Sequence, residues 1–234
     1  MEIQAAVAKV AKYATRESGD TLEMVERPRG GLSLVLVDGQ HSGRGAKAVS
    51  NLVARKAISL LAEGVRDGAA ARAAHDYLYT QYEGKVQASL NIVSIDLVSK
   101  TLLLSRNNPL PVYIVRPDGI TELSGPSQPV GLYHHTRPVI TEMPLESHTV
   151  AVVYTDGLAS AGVRRRQPFP VRAAVEKLHA EGLAAAQTWA DHLLAQALEY
   201  DERRPTDDIS ILIVAVLPRQ SPDDARRLLV RMPL

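Results

Sequence analysis

Apolar positions along this chain switch between two periods, and the switches mark its elements. From Glu2 to Tyr13, Ile3, Ala5, Val7 and Val10 stand among Lys9 and Lys12, which reads as a half-buried strand, although Ala-rich runs also suit a helix. A second strand is expected from Thr21 to Glu26, after the turn-like Ser18-Gly19-Asp20, with Asp20 ending the first strand. Arg27-Pro28-Arg29-Gly30 then turns the chain into the run Leu32 to Val37, whose nearly unbroken apolar character predicts a strand buried on both faces. These three strands are expected to form a meander.

The period then changes. Ala46, Val49, Leu52, Val53, Ala57, Leu60 and Leu61 recur at three- and four-residue steps, a helix that Gly64 stops. A second helix is expected from Ala69 to Tyr82, closed by Gly84, with Ala73, Tyr77 and Leu78 facing inward. From Val86 to Leu123 the pattern reads as three antiparallel strands, with turns at Val98-Ser99-Lys100, Asn107-Asn108-Pro109 and Pro117-Asp118-Gly119. Ser124 to Pro144 is marked by Pro and Gly and reads as a long loop with one edge strand. Thr149 to Tyr154 is a second Val-rich run, followed by helices from Val171 to Glu181 and from Ala184 to Tyr200. The last helix carries Trp189, Leu193, Leu194 and Ala197 on one face, and Ile209 to Val216 is the most β-branched strand of all. Helix pairs following strands suggest helical layers laid on sheets.

At 234 residues, 45% hydrophobic and 23% charged, the chain can bury a sizeable core. Residues 1–218 are read as a single domain and 219–234 as a peripheral, Arg-rich tail. Lys plus Arg (27) nearly cancels Asp plus Glu (26), so no overall field argues for nucleic acid or an anionic membrane surface. With no cysteine there is no thiolate nucleophile, disulfide framework or thiolate metal site. Lack of a leader pattern and of a membrane-length apolar run makes a cytoplasmic setting the expectation.

Candidate chemistry sits where apolar strands end in acid. Asp38-Gly39 closes the Leu32 strand, Asp156-Gly157 closes the Thr149 strand, and Asp207-Asp208 opens the Ile209 strand. In an antiparallel sheet the end of one strand lies beside the start of its neighbour, so this polarity places the acids on one edge. Clustered carboxylates repel one another unless a multivalent cation balances them. Oxygen donors without cysteine or a spaced histidine pair favour Mg²⁺ or Mn²⁺ over Zn²⁺. Asp20 joins from the side. Taken singly, His41 reads as a surface residue, and Arg164-Arg165-Arg166 as a solvated run.

Ser18-Gly19-Asp20, Asp38-Gly39 followed by Ser42-Gly43 and a helix, Tyr154-Thr155-Asp156-Gly157 and Asp207-Asp208-Ile209-Ser210 together resemble the signature of metal-dependent serine/threonine protein phosphatases of the 2C (PPM) type. The short bacterial branch related to sporulation and stress-response phosphatases is the most similar, over Glu2 to about Pro218. The resemblance implies an α+β fold, a four-layer α-β-β-α sandwich of two antiparallel sheets flanked by helices. It also implies two Mn²⁺ or Mg²⁺ ions, with Asp38 bridging them and the Gly39 carbonyl, Asp156 and Asp207 (or Asp208) completing the shell. Asp20 would hold a metal-bound water, and Arg16, four residues ahead of Asp20, would bind phosphate. The implied reaction is hydrolysis of phosphoserine or phosphothreonine on a protein by a hydroxide bridging the metals. The implied substrate is a phosphorylated anti-sigma antagonist or stress-complex scaffold, with no nucleic acid or membrane partner. A sensor segment ahead of the domain is not expected, and control is expected from expression or a docking partner. Little room is left for the flap of larger members, so substrate choice is expected on the rim, at the Ser124 to Pro144 loop and the Ala161 to Pro170 segment. A catalytically silent phosphoprotein-binding module of the same fold is the competing reading, against which the retention of every acid argues.

Overall fold

The computed structural model describes residues 1–182, 185–220 and 222–232. Along the chain run β1 (Glu2–Val10), β2 (Thr21–Glu26), β3 (Leu32–Gly39), α1 (Gly43–Ala62), α2 (Asp67–Tyr82), β4 (Ala88–Asp96) and β5 (Thr101–Asn107). There follow β6 (Val112–Arg116), β7 (Gly119–Leu123), β8 (Val139–Pro144), β9 (Thr149–Tyr154), α3 (Asp156–Ser160), α4 (Val171–Ala180), α5 (Ala186–Tyr200) and β10 (Ile209–Leu217). The strands form two five-stranded antiparallel sheets, ordered β1-β10-β9-β6-β7 and β2-β3-β4-β5-β8.

Strand parity builds the layers. On β3, Leu34 and Leu36 join Val93 and Leu104 in a core shared with Ile114, Val153, Leu212 and Val214 of the other sheet. Val35 and Val37 point the opposite way, against Val53, Ala57 and Leu61 of α1 and Leu78 of α2. On the far side, Val152, Ile211 and Ile213 pack on Val175, Leu178, Trp189 and Leu193 of α4 and α5. Three apolar seams therefore separate four layers, helix on sheet on sheet on helix, as the resemblance implies. Because β3, β9 and β10 are covered on both faces, their sequences carry no polar alternation.

Several expectations change in the fold. The opening is not a meander, because β1 pairs with β10 in one sheet while β2 and β3 pair in the other. Residues 11–20 carry the chain between sheets, and Asp20 immediately precedes β2 rather than ending β1. Asn107-Asn108-Pro109 is likewise a crossing, not a hairpin turn: β5 lies in one sheet and β6 in the other. Period-two patterning identifies a strand but not its partner, and that is why both assignments failed. Four strands, not three, occupy residues 88–123, since the half-polar Gly119–Leu123 pairs with β6. The inner face of α2 is Ala70, Ala71, Ala74 and Leu78, with Tyr77 45% exposed; alanines on every face leave little periodic signal. The edge strand within residues 124–144 is β8. The expected start of the last helix at Ala184 falls outside the described residues, while its Trp189, Leu193 and Ala197 are buried as expected. Among the described residues no helix is long and apolar enough to cross a membrane.

Candidate active site

Parity and topology bring the acids to one end of the sandwich. Asp38 shares the parity of Leu34 and Leu36, so it continues the row that faces the opposite sheet. There β9 and β10 lie side by side, Tyr154 opposite Ile211, so the start of α3 adjoins the lead-in to β10. The acids meet across two sheets rather than along one. Asp156, Asp20 and Asp207 all act electrostatically on Asp38.

Close backbone approach holds this corner together. A Cβ on Gly39 would overlap the Ala46 carbonyl of α1, and one on Gly157 would overlap the Asp208 carbonyl. Both glycines of the Asp-Gly pairs are there for space, which lets α1 and α3 start beside the strand ends. Gly157→Ala should force α3 away from β10, costing about 1–3 kcal/mol and displacing Asp156. A lowered urea midpoint would register it; an unchanged midpoint would contradict the packing.

Asp20 is fixed from one sheet and from α1. Its Oδ2 accepts hydrogen bonds from Thr155 Oγ1 (3.0 Å) and Ser210 Oγ (2.6 Å). Its backbone carbonyl accepts from Lys9 Nζ of β1 (2.6 Å) and Lys47 Nζ of α1 (2.7 Å). Ser50 Oγ of α1 donates to the carbonyl of Gly19 (2.5 Å). Sequence reasoning gave none of these five side chains a supporting role. Thr155 and Ser210 had a legible signal, as lone hydroxyls at the ends of apolar strands; the lysines had none, because their partner is a distant main-chain oxygen.

Asp207 and Asp208 divide in role. Both carboxylate oxygens of Asp208 are engaged, Oδ1 by the Lys12 amide (2.9 Å) and Oδ2 by the Gly19 amide (2.8 Å). Asp208 thus tethers both ends of the loop from Lys12 to Gly19 that carries Arg16, and it is 3% exposed. Among the described residues Asp207 accepts only the Asp208 amide, on Oδ1 (2.9 Å). Asp201, at the end of α5, holds the approach by accepting from the Gly162 amide (2.7 Å) and the Thr206 amide (3.0 Å).

Burial, then the neighbouring charges of Asp156, Asp20 and Asp207, pushes the Asp38 carboxyl up to about 9. Burial and Asp207 raise Asp156, which shares a hydrogen bond with Asp38. Asp20 is raised to about 6 by burial, against the opposing hydrogen bonds of Ser210 and Thr155 and the charge of Lys9. Among the described residues no Lys or Arg forms an ion pair with Asp38, Asp156 or Asp207. Among the described residues no three acids already stand close enough together to enclose an ion, but the oxygen-only donors and their mutual repulsion at Asp38 suit a hard divalent cation.

The remaining candidates lie around it. Arg16 lines a cavity of about 450 Å³ with Thr15, Glu17, Gly43 and Arg44. His41 is exposed in a left-handed backbone conformation (φ 72°). Arg164 to Arg166 are exposed on a 3-10 turn and its cap, with Arg165 3.5 Å from Glu202.

A family model described as stage II sporulation protein E (SpoIIE) matches residues 28–217. Among solved structures, the PP2C phosphatase domain with a regulatory-domain fragment of the cell-fate determinant SpoIIE from Bacillus subtilis aligns at TM-score 0.80 and 18% identity, covering 94% of this chain. This chain spans 64% of that one. The SiaA-PP2C domain of Pseudomonas aeruginosa aligns at 0.75 and 20% identity, covering 90% of this chain and 84% of that one. The catalytic domain of the serine threonine protein phosphatase PstP, in complex with two manganese ions, aligns at 0.69 and 17% identity, covering 92% and 99%. No curated protein matches the chain. Identities this low carry the fold alone, whereas the family match takes in Asp38, Gly39, Asp156 and Asp207. On that match, the chain belongs to the SpoIIE family of PP2C-type bacterial phosphatases.

Proposed function

We propose that the chain is a metal-dependent protein phosphatase that transfers the phosphoryl group of a phosphoserine or phosphothreonine to water. The observation that carries this reading is the mutually repelling group of Asp38, Asp156 and Asp207, for which no Lys or Arg among the described residues forms an ion pair, in a chain of this family. Asp38, Asp156, Asp207 and the Gly39 carbonyl would hold two divalent ions, Mn²⁺ or Mg²⁺. The two manganese ions of PstP support that choice. When bound, such ions supply Lewis-acid charge for activating water and for neutralising phosphoryl oxygens.

The chain's own residues do the positioning. Asp20, its Oδ2 fixed by Thr155 and Ser210, presents its carboxylate to the same space and can orient a water by hydrogen bonding. Arg16 is assigned to the phosphate oxygens, as a fork of donors matched to that geometry. Asp208 is left out of the ligand set, because both its oxygens already tether the Arg16 loop. Hydrolysis then proceeds by in-line attack of water on phosphorus, the serine or threonine oxygen leaving with a proton. The substrate we favour is a phosphorylated regulatory protein, such as an anti-sigma antagonist or stress-complex scaffold.

A silent phosphoprotein-binding module would have no need of acids that repel when empty, and keeping all of them favours the enzyme. Turnover of p-nitrophenyl phosphate, stimulated by Mn²⁺ and lost on chelation, is the expected result. A folded protein that shows no metal-stimulated turnover would support the silent module instead.

A further inference from the structure

The cavity beside the acid cluster is built from two segments that the fold fixes independently. One wall is the loop with Thr15, Arg16 and Glu17, pinned at both ends by Asp208 through the Lys12 and Gly19 amides. The other is the start of α1, where Gly43 and Arg44 follow closely on Asp38-Gly39. Both walls therefore hang on residues of the acid cluster or next to it, which sets the cavity beside the candidate active site.

Its charge is uncompensated. Among the described residues Arg16, Arg44 and Glu17 form neither an ion pair nor a side-chain hydrogen bond. Neither arginine of the cavity is paired with its one carboxylate, Glu17, so both guanidinium forks are open to an added anion. Arginine here is significant because its planar fork of donors matches a carboxylate in two-point contact. With Arg16 assigned to the phosphate, Arg44 on the opposite wall is left to meet a neighbouring part of the substrate.

We propose that this cavity is a docking subsite for one acidic side chain, Asp or Glu, next to the phosphorylated residue of the substrate protein, and that Arg44 is the specificity-determining residue that reads it. The inference rests on the phosphatase reading and deepens it by naming the substrate class: phosphoproteins with an acidic flank. Charge on a rim acts through steering and complementarity, so the preference should shrink as salt rises.

The test uses two phosphothreonine peptides that differ only by Glu or Gln beside the phosphorylated position. At low salt the full chain is expected to favour the Glu peptide about tenfold in kcat/KM, which is about 1.4 kcal/mol. Arg44→Gln should bring that ratio close to one, Arg44→Glu should invert it, and Arg44→Lys should restore part of it. Fluorescence anisotropy of both peptides on Asp38→Asn protein, and on Asp38→Asn combined with Arg44→Gln, measures the same preference as binding without turnover. If wild type hydrolyses neither peptide nor p-nitrophenyl phosphate, the phosphatase reading fails, while anisotropy still decides the subsite. A ratio near one in wild type by both measures, or a ratio that Arg44→Gln leaves unchanged, overturns the proposal. Equal losses on both peptides would also overturn it, by placing Arg44 at the phosphate itself.

Discussion

Asp38→Asn is expected to abolish Mn²⁺-stimulated phosphatase activity, with losses on the order of 10³-fold or more in kcat/KM, as several kcal/mol of transition-state charge stabilisation is removed. Asp38 faces the space between the sheets, and Asp156, Asp20 and Asp207 all bear on it electrostatically. Asn keeps its volume but withdraws the charge that would hold metal. Asp156→Asn and Asp207→Asn should lose activity for the same reason. Asp208→Asn should lose less, and through a different cause: the Lys12 and Gly19 amides lose their charged acceptor, which slackens the Arg16 loop. Circular dichroism and initial rates on the four variants separate these effects. Full activity of the Asp156 variant at saturating Mn²⁺ would remove it from the site.

The second large effect concerns stability. An Asp whose folded pKa lies above its unfolded value costs nothing below about pH 4, where both states are protonated. Between the two values the folded chain holds more protons than the unfolded one, so stability falls as pH rises, until the folded pKa is passed. Asp38, raised to about 9, Asp156, raised by burial and Asp207, and Asp20, raised to about 6, all act in this direction. Metal-free protein should therefore melt at progressively lower temperature from pH 5 to pH 8. Mn²⁺ binding should release protons, and the gain in stability should reach about 2.7 kcal/mol at metal a hundredfold above its dissociation constant. Asp38→Asn should raise the melting temperature of the metal-free protein at pH 8 while weakening its response to Mn²⁺. Thermal melts with chelator or Mn²⁺ across that pH range check all three. A wild-type melt indifferent to both pH and metal would contradict the electrostatic account of the cluster.

What the sequence made legible follows from what burial does to composition. The runs ending in Asp38 and Asp156 stood out because strands covered on both faces leave no polar residue until their ends. Asp207 and Asp208 stood out in the same way, but their division of labour did not. It depends on amides of Lys12 and Gly19 that lie 196 and 189 positions away, and no local pattern records them. The layered fold was readable from alternating blocks of strand and helix, whereas the assignment of β1 and β6 to one sheet was not, because periodicity is blind to partners. The grip of Lys9 and Lys47 on the Asp20 carbonyl was invisible for a related reason. Both lysines looked like the polar side of a half-buried element, and only the folded chain shows that they face a main-chain oxygen.

The most direct measurement is release of inorganic phosphate from a phosphothreonine peptide as a function of Mn²⁺ concentration, for wild type beside Asp38→Asn. The account predicts a saturable rise with Mn²⁺ in wild type, complete loss on chelation and no rise in the variant. Phosphate release that is indifferent to Mn²⁺, or a rise of equal size in folded Asp38→Asn protein, would contradict it.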